Sequence, residues 1–168
     1  MDKVQRHIRV NIANQELTLW ERNKLRQRYA VSTAFLGPGE CNGSGCTPRG
    51  RHRVRLRIGE GCTENTVFVG RRPTGEIYGP ALARRFPDRD WILTRILWLA
   101  GLESGCNRGG RVDSLRRFIY IHGCPDSEPM GVPMSHGCIR MRNRDLIELF
   151  DLVRNGTPVD IVGPAEAG

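Results

Sequence analysis

The first half of the chain alternates apolar and polar residues. Arg9-Val10-Asn11-Ile12 and Leu17-Thr18-Leu19-Trp20 place apolar side chains at every second position, and Ala13-Asn14-Gln15 between them supplies turn residues, so the pair predicts a β-hairpin. Arg28-Tyr29-Ala30-Val31-Ser32 predicts a third strand. A loop rich in glycine and small polar residues runs from Gly37 to Gly50. Arg51-His52-Arg53-Val54-Arg55-Leu56-Arg57-Ile58 then carries arginine at every second position, the pattern of a half-buried strand with a basic outer face. Thr66-Val67-Phe68-Val69 reads as a short strand, and residues 70–90, punctuated by glycine, proline and arginine, as an irregular insertion. Trp91 to Leu99 reads as a buried strand or a short helix, its isoleucines and tryptophans favouring the strand, and Phe118-Ile119-Tyr120-Ile121 as a strand ending at His122-Gly123. Helical periodicity is strong only over Asn143–Arg154. There Asn143 is a suitable N-cap, Asp145 suits the first turn, and Leu146, Leu149, Phe150 and Val153 fall on one face. Gly156 ends that helix and Pro158-Val159-Asp160-Ile161-Val162 closes with a strand.

The pattern predicts one mostly-β domain with one or two helices, spanning residues 1–168 with its core at about 8–162. Composition agrees: of 168 residues 39% are hydrophobic and 26% charged, an ordinary globular balance. The longest apolar stretch, Trp91–Leu102, is broken by Thr94 and Arg95 and falls short of the ~20 residues of a membrane-spanning helix, so no membrane partner is expected. The formal charge is +8, almost wholly from arginine, since lysine occurs only at Lys3 and Lys24. Such a surface favours anionic partners. The first residues show no charged segment, apolar segment and cleavage site in succession. The expected compartment is therefore the cytoplasm, or the periplasm if a leader precedes this sequence. Six cysteines, at 41, 46, 62, 106, 124 and 138, are too sparse for a disulfide scaffold and read as mostly reduced thiols.

Chemistry concentrates in one segment. His122-Gly123 is followed twelve residues later by Ser135-His136-Gly137-Cys138-Ile139-Arg140. A nucleophilic cysteine needs a base, a thiolate-favouring environment and donors aimed at the oxyanion of the attacked carbonyl. His122 at a strand end supplies the base. Gly137 leaves the backbone bare, so the N–H groups of Gly137 and Cys138 are candidate oxyanion donors. Arg140, two residues beyond Cys138, shares its face in an extended segment. Two of the four histidines fall within this segment.

His122-Gly123 with Ser135-His136-Gly137-Cys138-Ile139-Arg140 resembles the active-site signature of the YkuD-type L,D-transpeptidases, bacterial enzymes of peptidoglycan metabolism. The likeness runs from about Ile8 to Val162 and takes in Val31-Ser32-Thr33, Thr47-Pro48-Arg49-Gly50 and Gly156-Thr157-Pro158-Val159. It implies a β-sandwich or open barrel with a helix packed on it. It also implies a cysteine that attacks the L,D-bond before the terminal D-alanine of a peptidoglycan stem tetrapeptide, forming a thioester. By resemblance Cys138 is the nucleophile, His122 the general base and later acid, and the Gly123 carbonyl the group that orients the imidazole. His136, Gly137 and Cys138 line the oxyanion site, with Ser135 in support and Arg140 on the substrate. No metal or organic cofactor is implied. Carbapenem-type β-lactams are expected to acylate Cys138. Water as acceptor gives an L,D-carboxypeptidase of wall recycling, the reading a cytoplasmic chain favours; an amine acceptor gives a transpeptidase that forms crosslinks or exchanges D-amino acids.

Cys124 stands where the family more often has Thr or Ser, as a neutral replacement or as a second thiol able to oxidise with Cys138. A remote alternative is a zinc-binding module built from Cys41, Cys46, His52 and Cys62, with Cys106, although these lack paired Cys-x2-Cys spacing. Nucleic-acid binding through the arginine face of residues 51–57 lacks interleaved aromatics and is not expected. Arg71 and Arg72 fall in a segment placed to cover the cleft, and Arg142 and Arg144 lie near Arg140 in sequence.

Overall fold

Short alternating strands cannot bury an apolar face singly, and here they solve the problem by closing on themselves. The computed structural model describes residues 4–164. In chain order it contains β1 (Arg6–Asn11), β2 (Glu16–Glu21), β3 (Lys24–Ser32), β4 (Gly50–Ile58), β5 (Thr66–Val69), β6 (Arg72–Ile77), α1 (Pro80–Arg85), β7 (Ile92–Gly101), β8 (Tyr120–Gly123), β9 (Ile139–Met141), α2 (Asn143–Leu152) and β10 (Pro158–Val162). The order β4-β10-β1-β2-β3-β9-β8-β7, with β4 also pairing β7, closes eight of the strands into a barrel-like sheet. The β5–β6 hairpin hangs outside it, held by the pairing of Val67 and Phe68 with Leu93 and Ile92 at the start of β7. The mostly-β class expected from the pattern is what the chain adopts, and of the sandwich or open barrel that the resemblance implies it takes the barrel form, closed by the β4–β7 pairing.

The apolar positions of the alternating strands face inward. Ile8, Val10, Leu17, Leu19, Val31, Leu97, Leu99, Ile121, Ile139 and Met141 meet Leu146, Leu149 and Phe150 of α2 in one core. That helix lies against β7 and β8, the strands nearest the site.

Several boundaries differ from the pattern reading. Residues 70–90 are not irregular: they contain β6 and α1, and β6 tolerates Pro73 and Gly75 because it is the free edge of the sheet. The third strand starts at Lys24, four residues early. Arg22 and Asn23 form a two-residue turn with φ of 49° and 65°, and Lys24–Arg26 are all exposed, Leu25 included, so no alternation of buried and exposed positions marks them. Phe118 is not in a strand. It sits at φ 57°, half exposed, before β8 begins at Tyr120. The N-cap of α2 is Arg142, without a side-chain bond, and Asn143 turns inward to other partners. A bulge after Val54 breaks the alternation of β4, so Arg57 lies inward, 4.0 Å over the Phe150 ring, while Arg51, Arg53 and Arg55 stay exposed. No helix among the described residues is long and apolar enough to cross a membrane.

Candidate active site

β8 and β9 run parallel, pairing Ile121 with Ile139, His122 with Arg140 and Gly123 with Met141. Side chains alternate between faces along a strand, so one face of this pair (Ile121, Ile139, Met141) enters the core. The other face presents Tyr120 and His122 beside Cys138 and Arg140, and all four line one cleft of about 390 Å³. A larger groove, about 660 Å³, lies at another surface between the start of β1 and the α2–β10 loop, but it contains no cysteine and only His7 among the histidines.

The Cys138 sulfur is held by the backbone at and just before the start of β8. It accepts from the Tyr120 N–H at 3.3 Å and donates to the Phe118 carbonyl at 3.3 Å. Burial is the main influence on its acidity and pushes the thiol up to about 11. The Tyr120 N–H, Arg140 and Arg117 act in the opposite sense, and Asp90 adds to the rise. His122 is 2% exposed, and burial lowers its pKa below the usual imidazole range. Its Nδ1 lies 2.6 Å from the Gly123 carbonyl oxygen. A carbonyl only accepts, so Nδ1 carries the proton and Nε2 keeps a free lone pair. Thiol and imidazole are therefore both neutral near pH 7. They stand diagonally on one face, Cys138 level with Tyr120 and His122 two residues further along.

The loop before Cys138 is fixed by hydroxyls and by a glycine. Gly137 has φ 135°, a value side chains rarely adopt, and a Cβ there would meet the Cys46 carbonyl at 3.4 Å. Thr47 Oγ1 donates to the Gly137 carbonyl at 2.8 Å, and Ser135 Oγ donates to the Cys138 carbonyl. The Gly137 N–H, an expected oxyanion donor, is taken up by Ser135 Oγ at 3.3 Å. His136 stands at the rim with its side chain 76% exposed, and its Nδ1 lies 3.6 Å from Asp90 Oδ2. Arg140 is committed: it reaches Asp90 at 3.2 Å and Glu128 at 3.9 Å, and donates to the Met134 carbonyl. The expected substrate cation is thus already neutralised.

Behind Gly123, Asn143 donates to the Cys124 carbonyl at 2.8 Å and accepts from Thr94 Oγ1 at 2.6 Å. A Cβ on Gly123 would press on the Asn143 amide oxygen and lie 2.6 Å from the Leu93 carbonyl, so this position admits only glycine without a shift. Sequence reasoning missed Asn143 in this role, it missed Asp90 and Tyr120, and it named Thr47 only within the resemblance, without a role. Tyr120 was findable, two residues before His122 on the same face. Asp90, far from the motif in a loop, left no local signal.

The remaining expectations fall elsewhere. Both ring nitrogens of His52 are occupied, by the Gly50 carbonyl and by Ser114 Oγ, and the described residues contain no cluster of His, Cys, Asp and Glu able to hold a metal. The zinc-module reading loses its histidine. Cys124 is buried, its thiol pushed up to about 12 and directed at the Met141 carbonyl. It lies four residues beyond the level of Cys138 on the parallel pair, roughly 13 Å at the usual rise per residue, beyond disulfide reach. Arg72 is an exposed residue of β6 that does not line the cleft, whereas Arg71 does.

The family model for the YkuD L,D-transpeptidase catalytic domain matches residues 5–161, nearly the whole chain. The chain belongs to this family. Among curated YkuD-family relatives, the YkuD protein of Bacillus licheniformis, named as an L,D-transpeptidase, is 51% identical over 49 residues, 29% of this chain and 30% of that protein. YbiS of Escherichia coli, a protein named in the same way, is 41% identical over 46 residues, 27% of this chain and 15% of its own length. The matched segment thus spans less than a third of these relatives. Among solved structures, L,D-transpeptidase 3 of Mycobacterium tuberculosis superposes with a TM-score of 0.58 at 15% identity, covering 95% of this chain and 61% of that one. LdtMt1 in complex with imipenem gives 0.55 at 16% identity over 95% of this chain and 59% of that one. At such identities the likeness is one of fold.

Proposed function

We propose that the chain is a cysteine acyltransferase acting on peptidoglycan stem tetrapeptides, with Cys138 as nucleophile and His122 as general base and acid. The observation that carries this reading is the parallel β8–β9 pairing, which sets a thiol and a base with a free Nε2 on one face of one cleft. Both groups are neutral at rest, so the thiolate is made at the moment of attack. Cys138 leaves the Phe118 carbonyl, His122 Nε2 takes its proton, and the sulfur adds to the carbonyl of the L,D-bond. The Cys138 N–H is the donor left to face the oxyanion, since Ser135 holds that of Gly137. Collapse breaks the C–N bond, His122 returns the proton to the departing D-alanine amine, and a thioester remains. Water or an amine then gives up a proton to His122, adds to the thioester and releases Cys138 as a thiol. Arg140 and Asp90 brace the rim beside His136.

The test incubates a stem tetrapeptide with the protein, with and without an added D-amino acid. D-alanine release with a tripeptide product marks an L,D-carboxypeptidase; a new amide marks a transpeptidase; and Cys138→Ala abolishes both. Imipenem is expected to add its mass to the tryptic peptide containing Cys138. Release of D-alanine by Cys138→Ala at the wild-type rate would overturn the proposal.

A further inference from the structure

The β5–β6 hairpin outside the barrel ends in a two-residue turn, Gly70-Arg71, flanked by the Val69–Arg72 pair. Both residues have positive φ, 57° and 64°. That is a type I′ turn, whose second position usually holds glycine because side chains resist this conformation. An arginine there carries local strain that its surroundings must hold in place. The surroundings do so. The Arg71 guanidinium lies 4.7 Å from the ring centroids of both Trp98 and Phe118, and its Nη1 donates to Tyr120 Oη at 3.1 Å. The turn is thereby pinned over the cleft that also contains Cys138.

The two cations of this cleft differ. Arg140 is paired with Asp90 and Glu128, whereas Arg71 meets ring faces and a phenol and forms no ion pair among the described residues. Tyr120 measures the separation between Arg71 and the nucleophile: its backbone N–H contacts the Cys138 sulfur and its hydroxyl contacts Arg71. The guanidinium and the sulfur therefore sit at the two ends of Tyr120 in one cleft. A carbonyl attacked at the sulfur brings the α-carboxylate of the next residue within reach of the guanidinium.

We infer that Arg71 is the carboxylate subsite of this cleft, binding the free α-carboxylate of the residue that leaves. The inference rests on the acyltransferase reading above and makes Arg71 a specificity-determining residue. A guanidinium offers two parallel N–H donors to a carboxylate, and a ring-stacked guanidinium is already oriented for that. The consequence is that only a terminal residue with a free carboxylate is removed.

The experiment compares the stem tetrapeptide as free acid and as C-terminal amide, with wild type, Arg71→Met and Arg71→Lys. Wild type is expected to prefer the acid by about 10- to 100-fold in kcat/KM, the range of a hydrogen bond to a charged group. Arg71→Met loses that preference by slowing on the acid alone, and Arg71→Lys keeps part of it. Alkylation of Cys138 by neutral iodoacetamide at the wild-type rate shows that the variant site is intact. A Met variant that still prefers the acid as strongly as wild type overturns the inference. If that variant does not fold, the wild type decides alone, because equal rates on acid and amide overturn it too. Failure of wild type on both peptides, with no imipenem adduct at Cys138, overturns the parent reading instead.

Discussion

A neutral thiol beside a neutral imidazole works in a different pH range from a preformed thiolate–imidazolium pair, and the environment of Cys138 decides which applies. Burial pushes the thiol up to about 11, and the same burial holds His122 below its usual range. The competent form, base free and thiol protonated, therefore spans the range between these two titrations. The acid limb of kcat/KM is expected to lie below 6.5, the ordinary imidazole value, with activity flat through neutral pH. Replacing His122 by Ala removes the proton acceptor and is expected to slow acylation by about 10²- to 10⁴-fold. Asp90 tests the electrostatics separately. Its carboxylate raises both pKa values and partners Arg140, so Asp90→Asn lowers both. Iodoacetamide alkylation of Cys138, followed against pH, is expected to show its thiolate midpoint moving below the wild-type value of about 11. An upward shift in that variant would mean that Asp90 holds Arg140 in a place where its charge favours the thiolate.

Among the elements, the strands that line the barrel were legible because their inward positions repeat every second residue. Ile8 and Val10 in β1 and Leu17 and Leu19 in β2 are all fully buried. The motif on β8 and β9 was legible for the same reason, since alternation alone places His122 and Arg140 on the face opposite Ile121 and Ile139. What stayed hidden depends on contacts distant in sequence. The edge strand β6 buries almost nothing, so it carries no apolar period. Asn143 looked like a helix cap because its neighbours are helical. Its amide instead bridges β7, the end of β8 and the loop at Asp126, and only the fold brings these together. Asn143→Leu leaves the Cys124 carbonyl and Thr94 hydroxyl without that partner. It is expected to cost about 1–3 kcal/mol of unfolding free energy, read from urea titration, as for other buried polar groups left unpaired. The hairpin that carries Arg71 shares backbone pairing with the barrel only at the start of β7, and its other ties are side-chain contacts, so its amides are expected to exchange with deuterium well before those of β8 and β9.

For the whole molecule, the buried titratable groups set a stability window that net charge would not suggest. His52 and His122 are both buried with pKa values lowered by desolvation, so the unfolded chain binds protons at these sites that the folded chain refuses. Their contribution is complete above 6.5, the unfolded value, and is lost as pH falls from there through the folded values. Cys124 and Cys138 act at the other end. Their thiols are pushed up to about 12 and about 11 from 9.0, so their contribution is complete below pH 9.0 and is lost as pH rises toward those folded values. The melting temperature should therefore be flat between about pH 6.5 and 9 and fall on both sides, even though the chain carries a formal charge of +8. Charge repulsion alone would instead make stability rise steadily as pH approaches the basic end, where the net charge diminishes. Replacing Cys124 by Ser or Ala, neither of which ionises in this range, makes the alkaline arm shallower, with Cys138 still contributing, and leaves the acid arm in place. Melting curves of wild type and Cys124→Ala from pH 5 to 11 separate the two accounts, and a wild-type melting temperature still climbing above pH 9 would show that surface repulsion outweighs the buried thiols.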